Sequence, residues 1–78
     1  MITSSKLSLL TNMPTFMLQT ALGKAAKGRE FSASEFLGIT NGGQFCYSAI
    51  YSQEDQPVAC KVFLTYDPAA DKVIADMT

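Results

Sequence analysis

The sequence predicts an α+β fold in which N-terminal helices pack on a three-stranded antiparallel β-meander. Two observations carry this prediction. Apolar residues recur at helical spacing in the first part of the chain, whereas they alternate with polar residues after position 41. Polar loops, each with a proline, then divide the alternating part into three segments. With 78 residues, 47% of them hydrophobic, the chain is expected to form one small domain over 1–78.

The main helix is predicted over 14–27. Leu18, Leu22 and Ala25 stand at positions i, i+4 and i+7, which places them on one face of a helix. Gly28 follows this segment and is suited to the left-handed conformation that ends many helices. The Leu18/Leu22 stripe is therefore the expected cover of the sheet.

A second, short helix is predicted over 33–37. Ser32 and Glu35 have the spacing of a capping box, in which each side chain bonds the other residue's free backbone N–H. Phe31 and Phe36 occupy the two positions of a hydrophobic staple around that box. Both signals are local, and neither carries chemistry.

The segments after the Asn41-Gly42-Gly43 break are predicted to form the meander. Pairing Ala49 with Cys60, and Leu64 with Ala75, gathers the apolar residues of all three segments on one face of the sheet. A shift by one residue would scatter them over both faces, so this register is the expected one. The predicted strands are 44–52, 58–66 and 72–77.

A winged helix is the alternative reading. It makes 32–52 a helix-turn-helix with 41–52 as the recognition helix, and 58–76 the wing. Gly42 and Gly43 disfavour a helix at that point. The segment 41–52 also contains no lysine or arginine, although DNA binding depends largely on neutralising phosphates. The meander is therefore preferred, and sequence-specific DNA binding is not expected.

Charge is distributed unevenly along the chain. Residues 1–29 contain four basic residues and no acidic one, whereas 30–78 contain seven acidic residues and two lysines. If the protein contacts nucleic acid at all, its basic cluster is the expected footprint. That cluster consists of Lys24, Lys27 and Arg29.

The composition argues against an enzyme. The chain has no histidine, which is the commonest general base and metal ligand. Cys46 and Cys60 are not spaced as a zinc or redox motif, and the predicted register places them on opposite faces of the sheet. No glycine-rich phosphate loop is present. No catalytic residue, cofactor or metal is therefore expected.

Three residues are the candidates for contact with a partner. Glu54 and Asp55 lie together in the first hairpin loop, with no basic residue nearby in sequence, and would steer a basic partner towards the chain. Phe63 alternates onto the sheet face opposite the predicted core, and an apolar residue there indicates a partner or dimer contact. The competing interpretation is that the loop is simply solvated and that the N-terminal segment folds over Phe63.

The expected function is that of a small non-catalytic binding module. Such modules, including those carried by phages and mobile elements, often act as regulators, inhibitors or adaptors by occupying a surface of another macromolecule. Another protein is the favoured partner, and a winged-helix transcriptional regulator that binds DNA is the alternative. No segment resembles a membrane span or a signal peptide, and the cysteine usage favours a reducing cytoplasm, of a cell or of an infected host.

Overall fold

A computed structural model of the chain describes residues 4–78 and confirms the α+β class. Two short α-helices and a 3₁₀ turn precede a sheet of four antiparallel strands in the order β1-β2-β3-β4. The elements are α1 (Ser4–Thr11), α2 (Thr15–Leu22), the 3₁₀ turn (Gly23–Ala26), β1 (Phe31–Ile39), β2 (Phe45–Gln53), β3 (Gln56–Asp67) and β4 (Lys72–Met77).

The predicted register of the meander is confirmed. Ala49 pairs with Cys60 across β2 and β3, and Leu64 pairs with Ala75 across β3 and β4. Side chains on a strand alternate between faces, so these pairings place the apolar residues of three strands on one side. That side forms the core under the helices.

The helices cover this one side of the sheet. Leu18 and Leu22 of α2 are buried against it, as the helical stripe predicted, and Leu10 of α1 joins them. Tyr47 of β2 lies beneath α1 and is 2% exposed. Its hydroxyl donates to the Leu10 carbonyl at 2.5 Å and accepts the Met13 N–H at 2.8 Å, which ties the turn between the helices to the sheet.

The prediction of a helix over 33–37 is wrong, because this segment lies within the edge strand β1. The Ser34 hydroxyl bonds that of Thr15 at 2.7 Å, and the Phe36 ring lies 5.2 Å from that of Tyr47. Both side chains therefore point towards the helices. The capping-box signal was outweighed by burial of Phe36 and by pairing with β2, since tertiary contacts override local propensity. The sheet consequently has four strands instead of three.

The main helix is shorter than the predicted 14–27, because α2 ends at Leu22. Gly23 has φ of +52°, a conformation that interrupts the helix and that glycine adopts without steric cost. The chain continues through the 3₁₀ turn to Lys27, which is left-handed at φ +56°. Gln19 then holds the next segment, because its amide bonds the Arg29 carbonyl and the Phe31 N–H.

The winged-helix alternative is wrong in the structure. Its recognition helix, 41–52, is a turn followed by β2, the second strand of the sheet. Every residue of β2 from Phe45 to Gln53 pairs with β3. The aromatic and β-branched side chains of this segment suit a strand better than a helix, which is the physical reason for the outcome.

Candidate functional site: the open face of the sheet

The side of the sheet away from the helices is uncovered by the helices and strands of residues 4–78. We call this side the open face. Several of its large apolar side chains are exposed: Leu37 is 51% exposed, Ile74 49% and Ile50 37%. The residues of the open face are Ala33, Glu35, Leu37, Cys46, Ser48, Ile50, Ser52, Pro57, Ala59, Lys61, Phe63, Thr65, Asp67, Lys72, Ile74 and Asp76.

Phe63 lies on the open face, where the register predicted it. It pairs with Cys46 on one side and with Asp76 on the other, and its side chain is half-buried by these neighbours. Among the described residues, α1 and α2 pack on the other side of the sheet, so the N-terminal helices do not fold over it.

Sequence reasoning missed the other exposed apolar residues of the open face. The capping-box signal predicts a helix that includes Leu37, and a helix at this position leaves β1 out of the sheet. Ile50 and Ile74 were detectable, because both alternate out of phase with buried or half-buried neighbours in the predicted strands.

Glu54 and Asp55 form the tip of the β2–β3 hairpin, and both are exposed. They are the two loop residues between the paired Gln53 and Gln56, with φ of +53° and +64°. Positive φ at both positions is the pattern of a type I′ turn, for which Asn-Gly is the preferred pair. The hairpin therefore presents two carboxylates on a short, fixed loop.

The structure does not bring this tip together with Phe63. Phe63 stands seven positions after Gln56 on β3, which is about 23 Å at ~3.3 Å per residue of strand. The hairpin tip and the centre of the open face are therefore separate candidate surfaces.

The basic cluster lies at the same end of the sheet as the hairpin tip. Lys24 and Lys27 are exposed, whereas Arg29 is half-buried with its guanidinium 5.0 Å from the centre of the Tyr51 ring. A cleft of about 480 Å³ separates this segment from the end of β2. Its lining residues are Lys27, Gly28, Arg29, Glu30, Tyr51, Ser52 and Gln53. The basic cluster and the acidic hairpin tip thus lie at the same end of the sheet, although they come from oppositely charged halves of the chain.

The acidic residues of the β3–β4 loop have structural roles. The Asp67 carboxylate accepts the backbone N–H groups of Ala69 and Ala70, which closes the turn. Asp71 accepts the Tyr66 hydroxyl at 2.6 Å and lies 3.8 Å from the Lys6 ammonium. The hydrogen bond to Asp71 raises the pKa of Tyr66, with partial burial as a smaller cause. These acids hold the loop and α1 in place.

Cys46 and Cys60 are both buried free thiols on opposite faces of the sheet, as predicted. Cys60 pairs with Ala49 on the helix side, and Cys46 pairs with Phe63 on the open face. Burial raises the pKa of the Cys60 thiol, against a smaller opposing effect of the Arg29 charge. The thiol is therefore held in its less reactive protonated form.

We predict that reductant does not change the thermal stability of the protein. Two thiols on opposite faces cannot converge to the Cβ–Cβ distance of about 3.8 Å that a disulfide requires. Melting temperatures measured by circular dichroism with and without dithiothreitol should agree. A clear decrease on reduction, in a sample free of disulfide-linked chains, would show that the strand register is wrong.

Residues 4–78 were also compared with the requirements of a metal site and of a membrane span. No three side chains among His, Cys, Asp and Glu in this range lie close enough together to hold a metal ion. None of the described helices has the length and apolar character that crossing a bilayer requires. Comparison with protein-family models, with curated proteins and with solved structures finds no match for this chain.

Proposed function

We propose that the chain is a non-catalytic binding module that acts as a regulator, inhibitor or adaptor by occupying a surface of another macromolecule. The observation that carries the proposal is the open face, where Leu37, Ile50 and Ile74 are exposed around Phe63. Water-exposed apolar groups that lie together on a folded domain commonly mark a contact surface. Another protein is the partner whose chemistry suits such a face.

The chemistry of the side chains supports a binding role over a catalytic one. The chain has no histidine to act as a general base. Its two thiols are buried, and the pKa of Cys60 is raised, which disfavours a thiolate nucleophile. Cys46 and Cys60 are free thiols, which suits a protein that acts in a reducing cytoplasm.

Affinity capture from the organism of origin tests the proposal. Tagged wild-type protein should retain a partner that is lost when Ile50→Ser and Ile74→Ser are introduced together on the open face. The matched control is Phe16→Ser on α2, because Phe16 is 70% exposed but lies on the helix side. Equal capture by all three proteins, or capture lost only with the control, would contradict the proposal.

The acidic hairpin tip contributes to the same function by steering. Glu54 and Asp55 are exposed, and neither forms an ion pair with another residue of 4–78. Exposed charges of this kind affect the rate of encounter more than the strength of the final complex. We therefore assign the tip to the approach of a basic partner surface.

We predict that Glu54→Gln combined with Asp55→Asn slows association with the partner. The double change removes two negative charges and preserves side-chain shape, so the association rate should fall severalfold at low salt, and less at high salt, where charges are screened. Stopped-flow or surface-based kinetics over a salt series measure this. The control is Asp67→Asn in the other loop. An association rate that is unchanged at low salt would leave the tip as solvated surface.

A further inference from the structure

We propose that the open face pairs with the open face of a second copy of this chain, around a two-fold axis that runs along β2. The inference rests on the proposed function, because it names an occupant for the contact surface identified there. It is carried by the arrangement of charged and apolar side chains on β1, β2 and β3.

The strand registers place these side chains in rows across the open face. β2 lies between β1 and β3, so each row has its middle residue on β2. In the third row, Leu37 and Gly38 together oppose Cys46, because β1 has a bulge there. The rows are Ala33–Ile50–Ala59, Glu35–Ser48–Lys61 and Leu37–Cys46–Phe63.

The two ends of each row are chemically complementary. Glu35 and Lys61 carry opposite charges on either side of Ser48. In the other two rows both ends are apolar, with alanine at each end of one row and Leu37 and Phe63 at the ends of the other. If the β3 end of each row in one copy faces the β1 end of the same row in a second copy, opposite charges meet each other and apolar groups meet apolar groups.

A two-fold axis parallel to β2 and midway between two facing sheets produces this arrangement. It sets Glu35 of each copy over Lys61 of the other, so the ion pair forms twice. It also sets Leu37 over Phe63, while residues of β2 such as Ile50 meet their own counterparts. The result is an isologous interface between aligned sheets, an arrangement with sheets about 10 Å apart.

The other two-fold arrangements are less favourable. An axis across the strands through Ser48 would place Glu35 over Glu35 and Lys61 over Lys61, and like charges repel. An axis between β2 and β3 would bring Leu37 into the row of Asp76 and leave Glu35 facing Thr78. Of these three axes, only the one along β2 pairs the opposite charges and also places Leu37 over Phe63, while Ile74 on β4 stays outside the interface.

The charge balance of the face also favours a second copy over a strongly charged partner. The face carries Glu35, Asp67 and Asp76 against Lys61 and Lys72, so its net charge is small and it attracts neither sign strongly. Three strands spaced by about 4.8 Å, and nine residues long at ~3.3 Å each, give a footprint of roughly 430 Å² per copy. The pair buries on the order of 900 Å², which is below the range of stable specific interfaces and typical of weak, transient ones. A weak dimer that forms only as the concentration rises is therefore expected.

Because this axis is parallel to the strands, corresponding strands of the two copies run in the same direction. The two Glu54–Asp55 tips consequently lie at the same end of the dimer.

Charge-reversal variants of the chain 1–78 test the inference. Analytical ultracentrifugation of the wild type from low to high micromolar concentration should show a monomer–dimer equilibrium. Lys61→Glu alone and Glu35→Lys alone should each weaken the dimer by about tenfold or more, because each places two like-charge pairs in one interface. The matched control is Lys24→Glu, which makes the same charge change on the helix side and should leave dimerisation intact.

A mixture of the two charge variants is the decisive experiment. Lys61→Glu and Glu35→Lys chains together restore both ion pairs, so the mixture should dimerise when neither variant does alone. A wild type that is monomeric throughout, a dimer indifferent to both substitutions, or a mixture without rescue would overturn the inference. Its failure is distinguishable from failure of the proposed function, because a monomer can still lose its captured partner when Ile50 and Ile74 are replaced.

Discussion

Tyr47→Phe is expected to reduce the free energy of unfolding by about 2–4 kcal/mol, because it leaves two buried backbone groups without a partner. The Tyr47 hydroxyl accepts the Met13 N–H at 2.8 Å and donates to the Leu10 carbonyl. Both bonds are buried, and water cannot replace them without opening the helix layer. Urea denaturation followed by circular dichroism measures the change.

Tyr66→Phe is the matched control for this substitution. The Tyr66 hydroxyl bonds Asp71 at 2.6 Å at an exposed site, where water can take its place, so the expected loss is below about 1 kcal/mol. Equal losses for the two variants would show that the Tyr47 hydroxyl does not anchor the helices.

The Tyr47 bond also has a predicted pH dependence. Burial raises the pKa of Tyr47 above its ordinary value of 10.0, despite an opposing effect of the Met13 N–H. A group whose folded-state pKa is raised stabilises the fold fully below its unfolded-state pKa, and that stabilisation is lost as the pH rises through the folded-state value. The difference in stability between wild type and Tyr47→Phe should therefore be constant at neutral pH and shrink only above about pH 10.

Leu18→Ala is expected to cost about 2–5 kcal/mol, because it creates a cavity at the centre of the helix–sheet interface. Leu18 is fully buried and belongs to the same core cluster as Tyr47 and Leu64. For a chain of 78 residues, whose total stability is of the order of 4–12 kcal/mol, this is a large fraction. The variant should be partly unfolded at 37 °C.

Phe16→Ala is the control for the cavity. Phe16 lies two residues earlier on the same helix and is 70% exposed, so its truncation should cost less than about 1 kcal/mol. Denaturation curves of both variants measure the two losses. A larger effect at Phe16 than at Leu18 would show that the helix packs through its other side.

The parts of the fold that depend on side-chain period were predictable from the sequence. Ala49–Cys60 and Leu64–Ala75 are paired in the structure because one register alone gathers the apolar residues on a single face. The same reasoning placed Phe63 on the open face. The position of a residue on a face follows from alternation and needs no knowledge of what packs there.

The parts that depend on competition between local and distant contacts were not predictable in this way. Ser32 to Glu35 satisfies the capping box, yet the segment gains more by pairing with β2 and burying Phe36. Gly38, with φ of +142°, permits the bulge that sets Leu37 and Gly38 opposite Cys46. Neither contact is visible in the local sequence.

The candidate site was predictable only in part. Alternation located Phe63, and turn chemistry located Glu54 and Asp55, but the size of the open face depended on recognising β1 as a strand. The proximity of Arg29 to Tyr51 and the hairpin tip depends on how the chain turns after α2. That path is fixed by Gln19, whose two bonds to the backbone join residues distant in sequence.

Photo-crosslinking from the two sides of the sheet tests most directly whether the open face is the contact surface. Benzoylphenylalanine is placed at position 63 on the open face, or at position 16 on α2 as the matched control, and the protein is irradiated in its organism of origin. Position 63 should give adducts, with the mass of a second copy or of another protein, and position 16 should give none. Adducts from position 16 with none from position 63 would contradict the assignment of the open face.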